Sequence, residues 1–125
     1  MSELRLLLVT DTVGGVWTYS LDLARALRPL GIEAILAVMG PPATEQQVED
    51  AGDIRLIDTG LPLEWLASDA EDVRSSGRAI TELAAAVGAD VVQTSSAALL
   101  ADAGLRQPSV SVQHSCVASW WAAVK

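Results

Sequence analysis

The sequence predicts a three-layer α/β fold, a doubly wound and mainly parallel sheet of about five strands with helices on both faces. Three observations carry this reading. Five short runs rich in Leu, Val and Ile alternate with stretches of helical periodicity. The opening runs are almost continuously apolar, as suits strands covered on both sides. Clusters of Gly, Pro, Asp and Ser separate these segments, where the chain must turn. A length of 125 residues fits one core, so residues 1–125 are expected to form a single domain.

The first strand is read at Leu4 to Val9, with Arg5 as its only charge. Thr10 to Gly15 then turns the chain into a helix from about Val16 to Leu30. Trp17, Leu21, Ala24 and Leu27 recur there at helical spacing, and Leu23 and Leu30 widen the apolar face. Pro29 and Gly31 mark its stop. Ile32 to Met39 is the second strand, ended by Gly40-Pro41-Pro42. A short polar helix from Thr44 to Ala51, capped by Thr44, leads to a third strand at Ile54 to Ile57. Asp58-Thr59-Gly60 closes that strand, and the apolar Leu61–Leu66 segment is expected to lie against the body of the domain.

Asp69 to Val87 is the clearest helix. Ser68 and Glu71 form a capping-box pattern, and Val73, Gly77, Ile80, Ala84 and Val87 repeat every three or four residues. Glu71, Arg74, Arg78 and Glu82 fall mostly on the outward side. Gly77, on the apolar stripe, permits close approach to a strand, and Gly88 suits a left-handed cap. Asp90 to Thr94 is the fourth strand. Ser95-Ser96 opens a short helix to about Ala103, and Ser109 to Gln113 is the fifth strand. From His114 a loop enters a final helix bearing Trp120 and Trp121. Adjacent helix residues point in different directions, so one tryptophan needs a surface from the chain's continuation or from a homo-oligomer partner.

The net charge of −8 and pI near 4.4 oppose nucleic acid as a partner, since a phosphate backbone would meet a repulsive average field. A local pocket for one phosphorylated ligand stays open. The longest apolar runs, such as Leu6–Val9 and Leu83–Val87, are too short to cross a bilayer, so no transmembrane segment is expected. The N-terminus has no signal-peptide pattern, which makes the cytoplasm the default expectation. Cys116 is the one cysteine and is read as a buried thiol.

In an open parallel sheet, ligands gather where loops leave the C-terminal strand ends. Candidate residues there are Asp11, Gly14, Gly15, Ser95, Ser96, His114 and Ser115. Gly14-Gly15 can bring main-chain N–H groups to an anion at the start of a helix, or can simply supply unusual turn angles. The Gly-x-Gly-x-x-Gly fingerprint and a Gly-Lys-Ser/Thr phosphate loop are both absent. Asp11 can cap the turn, orient a polyhydroxyl ligand or hold a cation. His114, the single histidine, can donate to a hydroxyl or phosphate oxygen or shuttle a proton, or be structural. With no second histidine and no acidic cluster beside it, no metal site is expected. The serines can bind through their hydroxyls or cap helices, and Gly-x-Ser-x-Gly is missing.

The stretch Thr10 to Leu27, with Gly14-Gly15 at its centre, resembles the opening of the family-4 retaining glycosyltransferases. The likeness resumes at Ala89-Asp90-Val91-Val92-Gln93 and at Val112 to Trp121. It implies the N-terminal, acceptor-side half of a GT-B enzyme, one of two Rossmann-like domains. Gly14 and Gly15 would then approach the diphosphate and the transferred sugar, His114 would position a hydroxyl, and Asp11 would shape the glycine loop. The implied donor substrate is a nucleotide sugar, with no cofactor and no metal, and the acceptor is unidentified. The resemblance also implies a C-terminal, nucleotide-binding domain beyond this chain, without which the 125 residues are expected to be inactive. Gln93 departs from the pattern, because related sequences often carry histidine there.

Two other readings compete. A response-regulator receiver has this length and five strand–helix units, with Asp58 at the phosphoacceptor position and Thr94 ending the fourth strand. Asp11 lacks an adjacent acidic partner for a hard cation, however, and His114 stands where a lysine is needed. A non-catalytic α/β interaction domain would use the tryptophans as a contact surface.

Overall fold

The computed structural model describes residues 4–13, 15–63, 70–95, 99–100 and 103–112. Their elements are β1 (Leu4–Asp11), α1 (Gly15–Leu27), a 3-10 turn (Arg28–Leu30), β2 (Ile32–Met39), α2 (Glu45–Ala51), β3 (Arg55–Asp58), α3 (Ala70–Val87), β4 (Val91–Thr94) and β5 (Ser109–Ser111). All strand pairs are parallel, in the order β3-β2-β1-β4-β5. The chain lays down β1, β2 and β3 in one direction, then returns to place β4 on the other side of β1. That is the strand order of a Rossmann half-sheet, with a switch point between β1 and β4.

The near-continuous apolar runs are explained by the two faces. On β1, Leu6 and Leu8 join Trp17, Leu21 and Ala24 of α1, while Leu7 and Val9 join Ile80, Ala84 and Val87 of α3. On β2, Ala34, Leu36 and Val38 face α1, and Ile35, Ala37 and Met39 face α3. Alternation along each strand therefore feeds two separate cores. Burying one Leu, Ile or Val contributes about 1.5–3 kcal/mol, and the inner strands hold most of these side chains.

Arg5, the one charge in the first strand, donates to the Val87 carbonyl at 2.6 Å and so caps the end of α3. It also lies 3.6 Å from Glu33. Gly31 and Gly88 take left-handed angles after the 3-10 turn and after α3, as their placement in the sequence suggested. Thr44 and Gln47 form a reciprocal capping box at α2. The outward side of α3 carries a small ion-pair network in which Glu71 meets both Arg74 and Arg78.

Several expectations need correction. Thr10 and Asp11 belong to β1 rather than to the turn. Leu30 does not widen the buried face, since the 3-10 turn rotates it outward and leaves it 70% exposed. The third strand is shifted by one residue, with Ile54 buried before it and Asp58 inside it. Gly77 does not approach a strand. A Cβ there would overlap the carbonyl oxygen of Leu99, in the segment after β4. The sheet is wholly parallel, and its fifth strand ends at Ser111. Leu61 and Leu63 pack inward as expected. The proposed cap at Ser68, the body of the helix after Ser95, and the final helix with Trp120 and Trp121 lie outside the described residues.

Candidate functional site

The strands β1 and β4 are neighbours, paired from Leu6–Val91 to Leu8–Gln93. Beyond their C-terminal ends the chain leaves in opposite directions. The β1 exit enters α1 on one face, whereas Leu99 of the β4 exit packs in the α3-side core. Parallel sheets of this order carry their ligand crevice at that rim, and Asp11, Thr94 and Ser95 stand at the strand exits beside it, with Gly15 at the start of α1.

Asp11 is half-buried, and its Oδ1 accepts from the Val13 N–H at 2.9 Å. This is an Asx turn, so the carboxylate shapes the loop. The loop is held from outside too. Thr12 Oγ1 donates to the Pro41 carbonyl at 3.0 Å, and Gln47 Nε2 donates to the Thr12 carbonyl at 3.2 Å. Val13 is left at the surface, 57% exposed.

Gly15 opens α1. A Cβ built on it meets no described atom within 4 Å. Packing among the described residues therefore does not call for glycine at this position. What the missing side chain leaves is open space at a helix N-terminus, where unpaired N–H groups and the helix dipole favour an anion.

Ser95 is exposed just after β4. Gly14, Ser96, His114, Ser115 and Cys116 lie outside the described residues. Among the described residues no group of three His, Cys, Asp or Glu side chains converges as a metal site, and no helix is long and apolar enough to cross a membrane.

Two pairs at the crevice were missed by reading the sequence alone. Ser20 Oγ donates to Thr10 Oγ1 at 2.8 Å in a buried bond that fixes α1 to β1. Gln93 Nε2 donates to Tyr19 Oη at 3.4 Å, reaching from β4 to α1. The available signal was spacing: Tyr19 follows Gly15 by four residues and so shares its side of the helix.

The receiver reading fails on topology. Its phosphoacceptor strand is central in the order 2-1-3-4-5, whereas β3 here is outermost. Asp58 instead accepts from the Ala43 N–H at 3.3 Å and stitches loops together. A groove of about 280 Å³ lies at the opposite rim, lined by Arg28, Ile32, Glu33, Asp53 and Arg55. There Arg28 meets Asp53 at 2.8 Å, and this hydrogen bond, aided by the guanidinium charge, holds the Asp53 carboxyl below its ordinary pKa. The groove sits at the N-terminal strand ends, away from the switch point.

Half-sheet order with helices packed on both faces defines a Rossmann-like α/β domain. Residues 13–125 match Glycosyltransferase Family 4, and the chain belongs to that family. A glycosyltransferase from Rickettsia africae ESF-5 shares the fold, with a TM-score of 0.57 and 18% identity over 81% of this chain and 26% of that one. So does a UDP-N-acetylglucosamine 2-epimerase from Listeria monocytogenes, with a TM-score of 0.50 and 19% identity over 83% of this chain and 27% of that one. The chain thus spans about a quarter of the length of either protein. Comparison with curated proteins finds no match.

Proposed function

We propose that this chain is the acceptor-side domain of a retaining glycosyltransferase, moving a sugar from a nucleotide-sugar donor to an acceptor in the cytoplasm. A second, C-terminal domain would supply most of the nucleotide contacts. The observation that carries the reading is Gly15, a glycine with open space beside it among the described residues, at a helix start in a chain of Glycosyltransferase Family 4.

In this reading the donor diphosphate lies against the amides of Gly14 and Gly15. The helix N-terminus, equivalent to roughly half a positive charge, stabilises charge growing on the leaving group. Asp11 keeps the loop in shape through the Val13 amide. His114, after the fifth strand, positions a hydroxyl, and Ser95, Ser96 and Ser115 offer further hydrogen bonds to the ligand. Orientation of the two substrates supplies most of the remaining acceleration. No cofactor enters this scheme.

The test compares the intact protein with the 125-residue chain, using a panel of nucleotide sugars and following the anomeric proton of the product by NMR. Transfer with retained configuration by the intact protein, and none by the short chain, is expected. Inverted product, or sugar transfer by the short chain alone, would overturn the proposal.

A further inference from the structure

Gln93 holds a position that no role above uses. It sits on β4 opposite Leu8 and is 8% exposed. A carboxamide offers two donor hydrogens and an accepting oxygen. Among the described residues it has one hydrogen-bond partner, the Tyr19 hydroxyl at 3.4 Å, which leaves most of that capacity unused. No side-chain nitrogen or oxygen among the described residues is both sealed from solvent and unpartnered. The unused end of Gln93 is therefore not fully sealed from solvent. Tyr19 lies one helical turn from Gly15, about 6 Å along the axis.

We infer that Gln93 is a sugar-binding residue, its carboxamide steadied by Tyr19 and its free end meeting an uncharged hydroxyl of the transferred ring. This rests on the glycosyltransferase reading. The crevice then divides its labour by chemistry. The helix end, rich in N–H donors, takes the diphosphate. The neutral amide, which both donates and accepts, matches a hydroxyl that does the same. A phosphate oxygen would use only its donors.

The side-chain amide resonance of Gln93, assigned by its loss in Gln93→Leu, reads this directly in the intact protein. UDP-glucose, UDP-N-acetylglucosamine and GDP-mannose are titrated, each against its own nucleoside diphosphate. The Gln93 signal should move with at least one nucleotide sugar and stay still with the matching diphosphate, while the Gly15 amide moves with both. Gln93→Leu, and Tyr19→Phe as a second variant, should weaken that nucleotide sugar about fivefold and leave the diphosphate unchanged. A Gln93 signal that responds equally to the diphosphate, or is silent while Gly15 shifts, overturns the assignment and leaves the transferase reading standing. Silence at both residues overturns the two together.

Discussion

Two glutamines mark the contrast between the halves of the rim. Gln47, on the β2–β3 side, uses both ends of its carboxamide: the oxygen accepts from the Thr44 N–H at 2.9 Å and the nitrogen donates to the Thr12 carbonyl. Around it the loops bind one another. Gly40 N–H meets the Leu61 carbonyl at 2.6 Å, Thr59 Oγ1 meets the Val38 carbonyl at 2.7 Å, and Asp58 meets Ala43. Gln93, on the β4 side, has one long contact. Backbone and side-chain groups that satisfy each other leave nothing over for a ligand, so recognition belongs where they do not.

In the β4 half, α3 comes into close contact with the segment after β4. Gly77 lets α3 touch the Leu99 carbonyl, and a methyl group there has no space. Gly77→Ala should destabilise the protein by about 3 kcal/mol through overpacking, seen as a lowered urea midpoint. An unchanged midpoint would mean that this half is held by something else. Gly15→Ala is the opposite case. Open space among the described residues predicts at least wild-type stability, since alanine is the better helix residue. Transfer by the intact protein should nevertheless fall on the order of a hundredfold, because the methyl group displaces the ligand from the helix end. Equal activity would return Gly15 to a purely local role.

The closed half should respond to loss of its cap. Thr44→Ala removes the acceptor for the Gln47 N–H at 3.1 Å and slackens the helix that holds Thr12. A loss of about 1 kcal/mol is expected. If the two halves are coupled through the Gln47–Thr12 tether, nucleotide-sugar affinity falls with it; if affinity is unmoved, Asp11 and the Thr12–Pro41 bond hold the glycine loop without it.

Legibility in the sequence divided along the same line. The second strand, the α2 cap and the end of α3 were readable because they rest on local chemistry: an apolar run, a threonine before a short polar helix, a glycine after the last turn. Asp11 and Gly15 could be placed at a strand exit and a helix start because such exits can be located from the same patterns. Gln93 and Tyr19 are 74 residues apart, and their meeting depends on β4 pairing with β1, which no local pattern states. The partner of Gly77 was misjudged for the same reason. Periodicity shows which side of a helix is small, while topology decides what lies against it.

The opposite rim offers the smallest effect and a check on the whole contrast. Asp53 is held below its ordinary value of 3.8 by the hydrogen bond and charge of Arg28. A carboxyl whose native pKa is lowered contributes stability above its unfolded value and loses it as pH falls through the native one. Asp53→Asn should therefore lower the urea midpoint slightly near neutral pH, and the difference from wild type should vanish in strong acid. The effect stays small because both side chains are more than half exposed and water screens the pair. Nucleotide-sugar affinity should not change, since the pair lies at the N-terminal strand ends. A measurable loss of affinity in Asp53→Asn would join the two rims energetically and remove the basis for confining recognition to the crevice between β1 and β4.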